Sequence, residues 1–273
     1  MSRAVWRRAE RLAALAKQLS DHPGRLLGLA ELGESFGAAK SSISEDLRIL
    51  RELFAERGYG CIETVPGAAG GVRYRPDLPA SRRAQVVEAL CRELASPGRV
   101  LSGGFLYMSD LISSPTLGRE VGTLFAGRFA GERVDVVLTI ETSGIPLAVA
   151  TAQAIGVPLA IARRVTRPSD GTVVSMNYVS GTSRRVETMS LPRRALDRGA
   201  RVLIVDDFMK GGGTARGLVD LAAEFEASVA GIGVLIETAQ PVEKRVRNYV
   251  SLCVLDAVEE EPPHVAVRPG SLR

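Results

Sequence analysis

The sequence predicts an α/β protein in two parts: a small N-terminal unit of helices and a hairpin, and a larger unit with a mostly parallel sheet flanked by helices. Three observations carry this. Apolar residues in the first 57 positions recur at helical spacing, then give way to a glycine-rich turn between two short alternating runs. Beyond residue 80, apolar runs suited to buried strands alternate with helical segments, which argues for a sheet covered on both faces. One of those runs, Val202–Val205, ends in Asp206 and Asp207 and opens into three glycines ahead of a helix.

In the first part, Trp6, Ala9, Leu12, Ala13, Ala16 and Leu19 share one helical face, and His22-Pro23-Gly24 stops that helix. A short helix follows around Leu29–Phe36, ended by Gly37. The stretch Ala39–Arg57 buries Ile43, Leu47, Leu50 and Phe54 as one stripe and turns Lys40, Ser41, Ser44, Arg48 and Arg51 outward, with Gly58 closing it. Residues 61–75 read as two strands around Pro66-Gly67-Ala68-Ala69-Gly70-Gly71. Three helices and a glycine-rich hairpin make the pattern of a winged helix-turn-helix. Residues 1–76 form this first domain, Pro76-Asp77-Leu78-Pro79 reads as a linker, and 80–273 form the second.

The second part starts with a helix at 81–95. Strands are expected at Val134–Ile140, Val157–Ala162, Val202–Val205, Val229–Ile236 and Val250–Leu255, with helices at 116–130, 145–155 and 214–227.

Bulk properties narrow the function classes. No apolar run reaches the roughly 18–20 residues that a membrane span needs. Cys61, Cys91 and Cys253 are widely spaced and lack a CxxC, which favours buried or idle thiols in a reducing cytoplasm. Lys and Arg outnumber Asp and Glu by 12 to 10 in residues 1–78 and by 23 to 21 in the rest, so net charge singles out neither half as a polyanion binder. Residues 1–17 are locally basic, with Arg3, Arg7, Arg8, Arg11 and Lys17 against Glu10. The chain has only His22 and His264, and no dedicated metal cluster is expected.

The glycine loop is the strongest chemical signal. In open α/β sheets, ligands bind outside the carboxyl ends of strands. The run Asp206-Asp207-Phe208-Met209-Lys210-Gly211-Gly212-Gly213-Thr214 lets backbone wrap a phosphate and aims a helix N-terminus at it, with the Thr214 hydroxyl as a further donor. Two carboxylates would repel a bare phosphate, but they suit the 2- and 3-hydroxyls of an attached ribose. A strand–turn–helix whose acids merely cap the helix is the alternative. A P-loop is excluded, because the string lacks the G-K-[ST] ending.

This string resembles the phosphoribosyl pyrophosphate (PRPP) signature of type I phosphoribosyltransferases. A second match is Thr139-Ile140-Glu141-Thr142-Ser143-Gly144-Ile145-Pro146. The resemblance implies a phosphoribosyltransferase-like domain in which Thr142, Ser143 and Gly144 hold pyrophosphate, often on a loop with a non-proline cis peptide. It also implies a basic pyrophosphate contact at Arg163 and Arg164. The stretch 165–188, with Asn177-Tyr178-Val179-Ser180-Gly181, stands where the family has a mobile loop over the ligand, which would bring Tyr178 to it; a solvated Arg pair and a plain β-hairpin remain open there. Two positions depart from the enzymes: Gly211 stands where many have a Thr, and Lys210 replaces a small residue. No obvious residue set reads a purine base.

With the N-terminal domain added, nearly the whole chain is similar to the purine repressor (PurR) family of Gram-positive bacteria. The similarity includes Ala39-Lys40-Ser41-Ser42-Ile43-Ser44-Glu45-Asp46-Leu47 and Thr64-Val65-Pro66-Gly67-Ala68-Ala69-Gly70-Gly71-Val72. It implies a dimeric DNA-binding repressor of purine synthesis genes, without transferase activity, that senses PRPP as inducer and (p)ppGpp as corepressor in one pocket. Mg²⁺ is expected to accompany PRPP. The helix at 39–51 is expected in a major groove, with Ser41, Ser42 and Ser44 at phosphates or bases, Lys40 and Arg48 on phosphates, and Arg73 of the wing on backbone or minor groove. Glu45 and Asp46 sit awkwardly there, and a solvated helix face is the alternative. A purine phosphoribosyltransferase with an accessory N-terminal domain is the competing reading of the whole chain. Gly103-Gly104-Phe105-Leu106-Tyr107 offers an aromatic to a base or a dimer face, although core packing is the plainer expectation.

Overall fold

The computed structural model describes residues 6–67, 70–179 and 185–272. Arg3 of the basic N-terminus, Ala68 and Ala69 of the wing, and Ser180 and Gly181 of the expected loop lie outside the described residues. The chain divides after Pro79 into two compact units, Met1–Pro79 and, Gln153–Gly156 apart, Ala80–Arg273.

The first unit contains α1 (Arg8–Asp21), α2 (Leu29–Phe36), α3 (Lys40–Arg57) and an antiparallel hairpin of β1 (Cys61–Val65) and β2 (Gly71–Arg75). Its core holds Leu15 and Leu19 of α1, Leu32 and Phe36 of α2, and the α3 stripe read from sequence, Ile43, Leu47, Leu50 and Phe54, closed over Ile62 and Val72; on α1 the expected face is displaced, with Leu15 buried and Ala9 and Ala13 exposed. Trp6 falls outside α1 and stacks edge-on against Phe36, 5.4 Å between ring centres. Gly37 and Gly58 end α2 and α3 with φ of 60° and 66°, left-handed conformations that glycine adopts without penalty. Arg51 ties α3 to the hairpin through the Ile62 carbonyl at 2.9 Å and the Thr64 hydroxyl at 2.6 Å.

The second unit contains α4 (Ala80–Leu94), a small hairpin of β3 (Val100–Leu101) and β4 (Phe105–Leu106), α5 (Ser109–Ile112), α6 (Pro115–Arg128), β5 (Val136–Ile140), α7 (Ile145–Ile155), β6 (Leu159–Ala162), β7 (Val173–Val179), β8 (Val186–Pro192), β9 (Arg201–Met209), α8 (Gly213–Glu224), β10 (Ser228–Thr238), β11 (Tyr249–Glu259) and β12 (His264–Pro269). Six strands form one sheet in the order β12-β11-β10-β9-β5-β6, parallel except for β12. Leu218, Leu221 and Ala222 of α8 cover one face together with β7 and β8. On the other face, Phe125 of α6 and Phe129, which caps that helix, lie where Gly233 and Gly231 leave β10 bare; an added Cβ at either glycine would run into the ring.

Three expectations need correction. β9 does not stop at Val205 but runs through both aspartates to Met209, because β10 pairs with it as far as Glu237↔Met209. The segment expected as a mobile loop holds an antiparallel hairpin, registered from Val173↔Pro192 to Val179↔Val186. Phe105 and Tyr107 do not pack in the core; they are 63% and 43% exposed. Of the cysteines, Cys61 is exposed, whereas Cys91 and Cys253 are buried with their sulfurs 3.4 Å apart.

Candidate functional site

The sheet order decides where a ligand can sit. After β5 the chain crosses to β6 on one side, then returns to β9 on the other, so the connections at the carboxyl ends of β5 and β9 diverge and leave a crevice. A cavity of about 460 Å³ opens there, lined by Ile140, Glu141, Thr142 and Ser143 after β5, Arg164 after β6, Glu187 of β8, and Asp206, Asp207, Phe208 and Thr214. A smaller recess bordered by Asp206, Phe208, Met209, Lys210, Gly212, Gly213 and Thr214 continues it toward α8.

The first turn of α8 supplies the anion-binding chemistry. Gly212 caps the helix with φ of 75°. The first intrahelical bond runs from the Arg216 N–H to the Gly212 carbonyl at 2.9 Å, so the N–H groups of Gly213, Thr214 and Ala215 have no acceptor within the helix. From outside, the Lys244 ammonium donates to the Lys210 carbonyl at 2.7 Å and to the Thr238 carbonyl at 2.6 Å, and the Arg245 N–H donates to the Gly211 carbonyl at 3.0 Å. Burial pulls the Lys244 ammonium below its ordinary value, against the opposing charge of Glu237.

The β5 side is a tight turn with a cis Glu141–Thr142 peptide, as the resemblance implies. Gly144 lets it approach β9, since a Cβ there would stand 2.7 Å from Thr139 Oγ1 and 2.9 Å from Asp206 Oδ1. Asp206 is buried, and its Oδ1 accepts the Asp207 N–H at 3.0 Å. Burial and then the neighbouring Asp207 charge push the Asp206 carboxyl well above its ordinary value; burial likewise raises Asp207. Two carboxyls held this way favour a partner that donates hydrogen bonds.

Arg164 is the cation of the cleft lining. Its N–H donates to Glu141 Oε1 at 2.6 Å, its Nη1 to the Glu141 carbonyl, and its Nε to Glu187 Oε2 at 3.3 Å. Burial lowers this guanidinium, but Tyr178 and Glu187 outweigh burial and leave it above its ordinary value. Arg163, expected beside it, does not line the cleft. Its backbone bridges to Ser190 in both directions at 2.9 and 2.8 Å, and its Nη1 rests on Glu141 Oε2 at 3.5 Å. Tyr178 does not line the cleft either: it packs in the core beside Gly217 of α8 and donates its hydroxyl to Glu187 at 2.7 Å. Burial, then that bond, raises its phenol. Ile140, Glu141 and Glu187 line the cleft, and Ala215 and Val234 the recess, although sequence reasoning did not single them out as site residues.

In the first unit, Lys40, Ser41, Ser44 and Arg48 are exposed on α3 and Ser42 is half-buried. Asp46, expected near the polyanion, instead points into the core, fully buried, with Arg11 Nε on one oxygen and Arg8 Nε on the other at 3.3 Å. Glu45 pairs with Arg8 at 2.7 Å, Arg48 with Glu52 at 2.8 Å, and Arg73 with Glu63 at 3.1 Å.

Comparison with known proteins completes the picture. Residues 7–76 match the family model of the bacterial purine repressor N-terminal domain, and residues 109–266 match that of the phosphoribosyl transferase domain. The purine biosynthesis transcriptional repressor PurR of Bacillus subtilis (strain 168) is 44% identical over 97% of this chain and 93% of its own length. The chain belongs to the PurR family. Membership carries transcriptional regulation of purine biosynthesis, and the family contains both signs: a PurR of Lactococcus lactis subsp. lactis (strain IL1403) named as an activator is 38% identical over 97% of this chain and 98% of its own. The phosphoribosyltransferase fold of the second unit is seen in adenine phosphoribosyltransferase from Thermoanaerobacter pseudethanolicus, with TM-score 0.53 at 19% identity over 62% of this chain and 98% of that one. No described helix of this PurR-family chain is long and apolar enough to cross a membrane.

Proposed function

We propose that this PurR-family chain represses purine biosynthesis genes as a homodimer in the cytoplasm, binds DNA through α3 and the wing, and senses PRPP as inducer and (p)ppGpp as corepressor in the cleft between β5 and β9. The observation that carries the sensing half is the pairing of a free-amide helix N-terminus with two adjacent carboxyls, Asp206 buried and Asp207 half-buried, at one switch point. The amides of 212–215 suit the 5-phosphate, Asp206 and Asp207 the ribose hydroxyls, and Thr142, Ser143 and Arg164 the pyrophosphate. Four carboxyl groups, Glu141, Glu187, Asp206 and Asp207, line this cleft against the Arg164 guanidinium, so a polyanion such as PRPP needs an accompanying cation to offset its charge. Among the described residues no group of three or more His, Cys, Asp or Glu side chains is placed to hold a metal ion. Mg²⁺ therefore comes on the pyrophosphate oxygens of PRPP, with Asp206 and Asp207 within the same cleft to support it.

The two effectors compete, and their opposite outputs require different affinities for two states of the protein. Transferase activity is absent in this proposal: Gly211 offers no hydroxyl to the 5-phosphate, and the lining supplies no set for reading a base. The decisive experiment is a gel shift on a purine-operon promoter titrated with Mg²⁺–PRPP. Release of the promoter by PRPP, restored by (p)ppGpp, is the expected result; indifference of the complex to both rejects the sensing role. Pyrophosphate release at enzyme-like rates with any purine base would instead establish the transferase.

For the DNA-contacting face, Arg48→Ala is expected to weaken promoter binding about 5–10-fold and reduce the salt slope by about one phosphate contact. PRPP affinity should not change. Unaltered promoter affinity, measured by anisotropy at two salt concentrations, removes Arg48 from the interface.

A further inference from the structure

The glycine loop is braced by a second segment that takes no part in lining the cleft. The chain after β10 turns back on itself so that residues 238–246 lie along the outer side of Lys210–Gly212. Lys244 Nζ bridges the Lys210 and Thr238 carbonyls at 2.7 and 2.6 Å, the Thr238 hydroxyl reaches the same Lys210 carbonyl at 3.3 Å, and the Arg245 N–H takes the Gly211 carbonyl at 3.0 Å. Val246, buried in the sheet core, fixes the height of this brace. A trans peptide is planar, with its N–H directed opposite to its C=O. Holding the carbonyls of 210 and 211 outward therefore directs the N–H groups of Gly211 and Gly212 to the opposite, inner side. Glycines have no side chain to fix that orientation for themselves, and they are the residues with most backbone freedom to lose.

We propose that Lys244 is a positioning residue for the phosphate cradle: its ammonium fastens the outward carbonyls so that the loop amides already face the ligand before it arrives. This rests on the reading of 206–215 as a sugar-phosphate site. Lys244 does not touch the ligand. It acts by removing the ordering cost that the loop otherwise meets on binding.

The test uses the full-length chain with Lys244→Met, which keeps the aliphatic stem and removes the three donors. Calorimetry is expected to show ribose 5-phosphate affinity falling about tenfold, a loss on the scale of one or two hydrogen bonds. Inorganic pyrophosphate, placed at 142–144 and Arg164, is expected to keep its affinity within about twofold. In the unliganded variant, hydrogen exchange of the Arg245 amide, which is bonded to the Gly211 carbonyl, is expected to quicken at least about tenfold while β9 and β10 stay protected. Unchanged exchange of that amide overturns the proposal, as does an equal loss for both ligands, which would mark a general electrostatic or folding effect. If the unmutated chain itself fails to bind ribose 5-phosphate, the sugar-phosphate reading fails first; if it binds and Lys244→Met binds equally well, only the positioning role falls.

Discussion

Replacing Asp206 and Asp207 together by asparagine is expected to abolish the PRPP response while making the unliganded protein more stable. In the folded chain both carboxyls titrate above their ordinary value of 3.8, Asp206 strongly so, chiefly because they are buried. The folded state therefore holds more protons than the unfolded one as pH rises above 3.8, so stability falls with pH until the folded carboxyls have ionised. At neutral pH the pair is a cost, which a neutral amide of the same shape removes; the new side chain at position 206 can still accept the backbone N–H of position 207 through its amide oxygen. Stabilising substitutions at strained functional sites typically return about 0.5–2 kcal/mol, or a few degrees of Tm at this size. The substitution should also flatten the decline of Tm as pH rises above 3.8. PRPP affinity should drop at least about 100-fold, since asparagine cannot accept both ribose hydroxyls at charged oxygens. A variant that answers PRPP normally in the gel shift would sink the sugar-phosphate reading, and a lower Tm would sink the account of the pair as destabilising.

The second large effect is expected in the first unit. Arg11→Ala should destabilise it by about 3–5 kcal/mol, because it strips the better-buried partner from a carboxylate that cannot reach water. Loss of promoter binding follows, because α3 carries Asp46 two residues after Ser44 and two before Arg48. The double substitution Arg11→Leu with Asp46→Leu should recover most of the stability, since a well-packed apolar pair of similar volume is often no worse than a buried ion pair. Circular dichroism melts of the single and double variants decide it. A single variant that melts within about a degree of the parent would show that Arg8 alone suffices.

Much of this architecture was legible from sequence because each signal was local. The stripe Ile43, Leu47, Leu50, Phe54 and the string from Asp206 to Thr214 each carry their own periodicity or punctuation. What escaped depended on pairing between distant segments. Arg163 and Arg164 are neighbours in extended chain, so they must point in opposite directions, and which one enters the cleft is set by the bridge from Arg163 to Ser190. Asn177 and Tyr178 pose the same problem, settled by the register of β7 on β8 and by the space that Gly217 leaves on α8. Glu141 and Glu187 were invisible as lining residues for the same reason. The strand β12 escaped too: its short alternation is ordinary, and only the register with β11, shifted between Leu255 and Ala257, places it at the sheet edge. On α3, Glu45 and Asp46 are adjacent in sequence, yet about 100° of helical rotation sends one to solvent and the other inside.

The contact between β5 and β9 is brief. It is registered from Val136↔Val202 only to Leu138↔Ile204, whereas β9 and β10 run together from Arg201↔Ser228 to Met209↔Glu237. The sheet thus has a short seam, and the cleft straddles the open end of it. An effector that grips the 142–144 turn with one end and the α8 amides with the other acts as a rivet across that seam. Under the proposed function, chemical information enters at this seam, so two effectors of different span would leave the two halves of the sheet braced to different degrees.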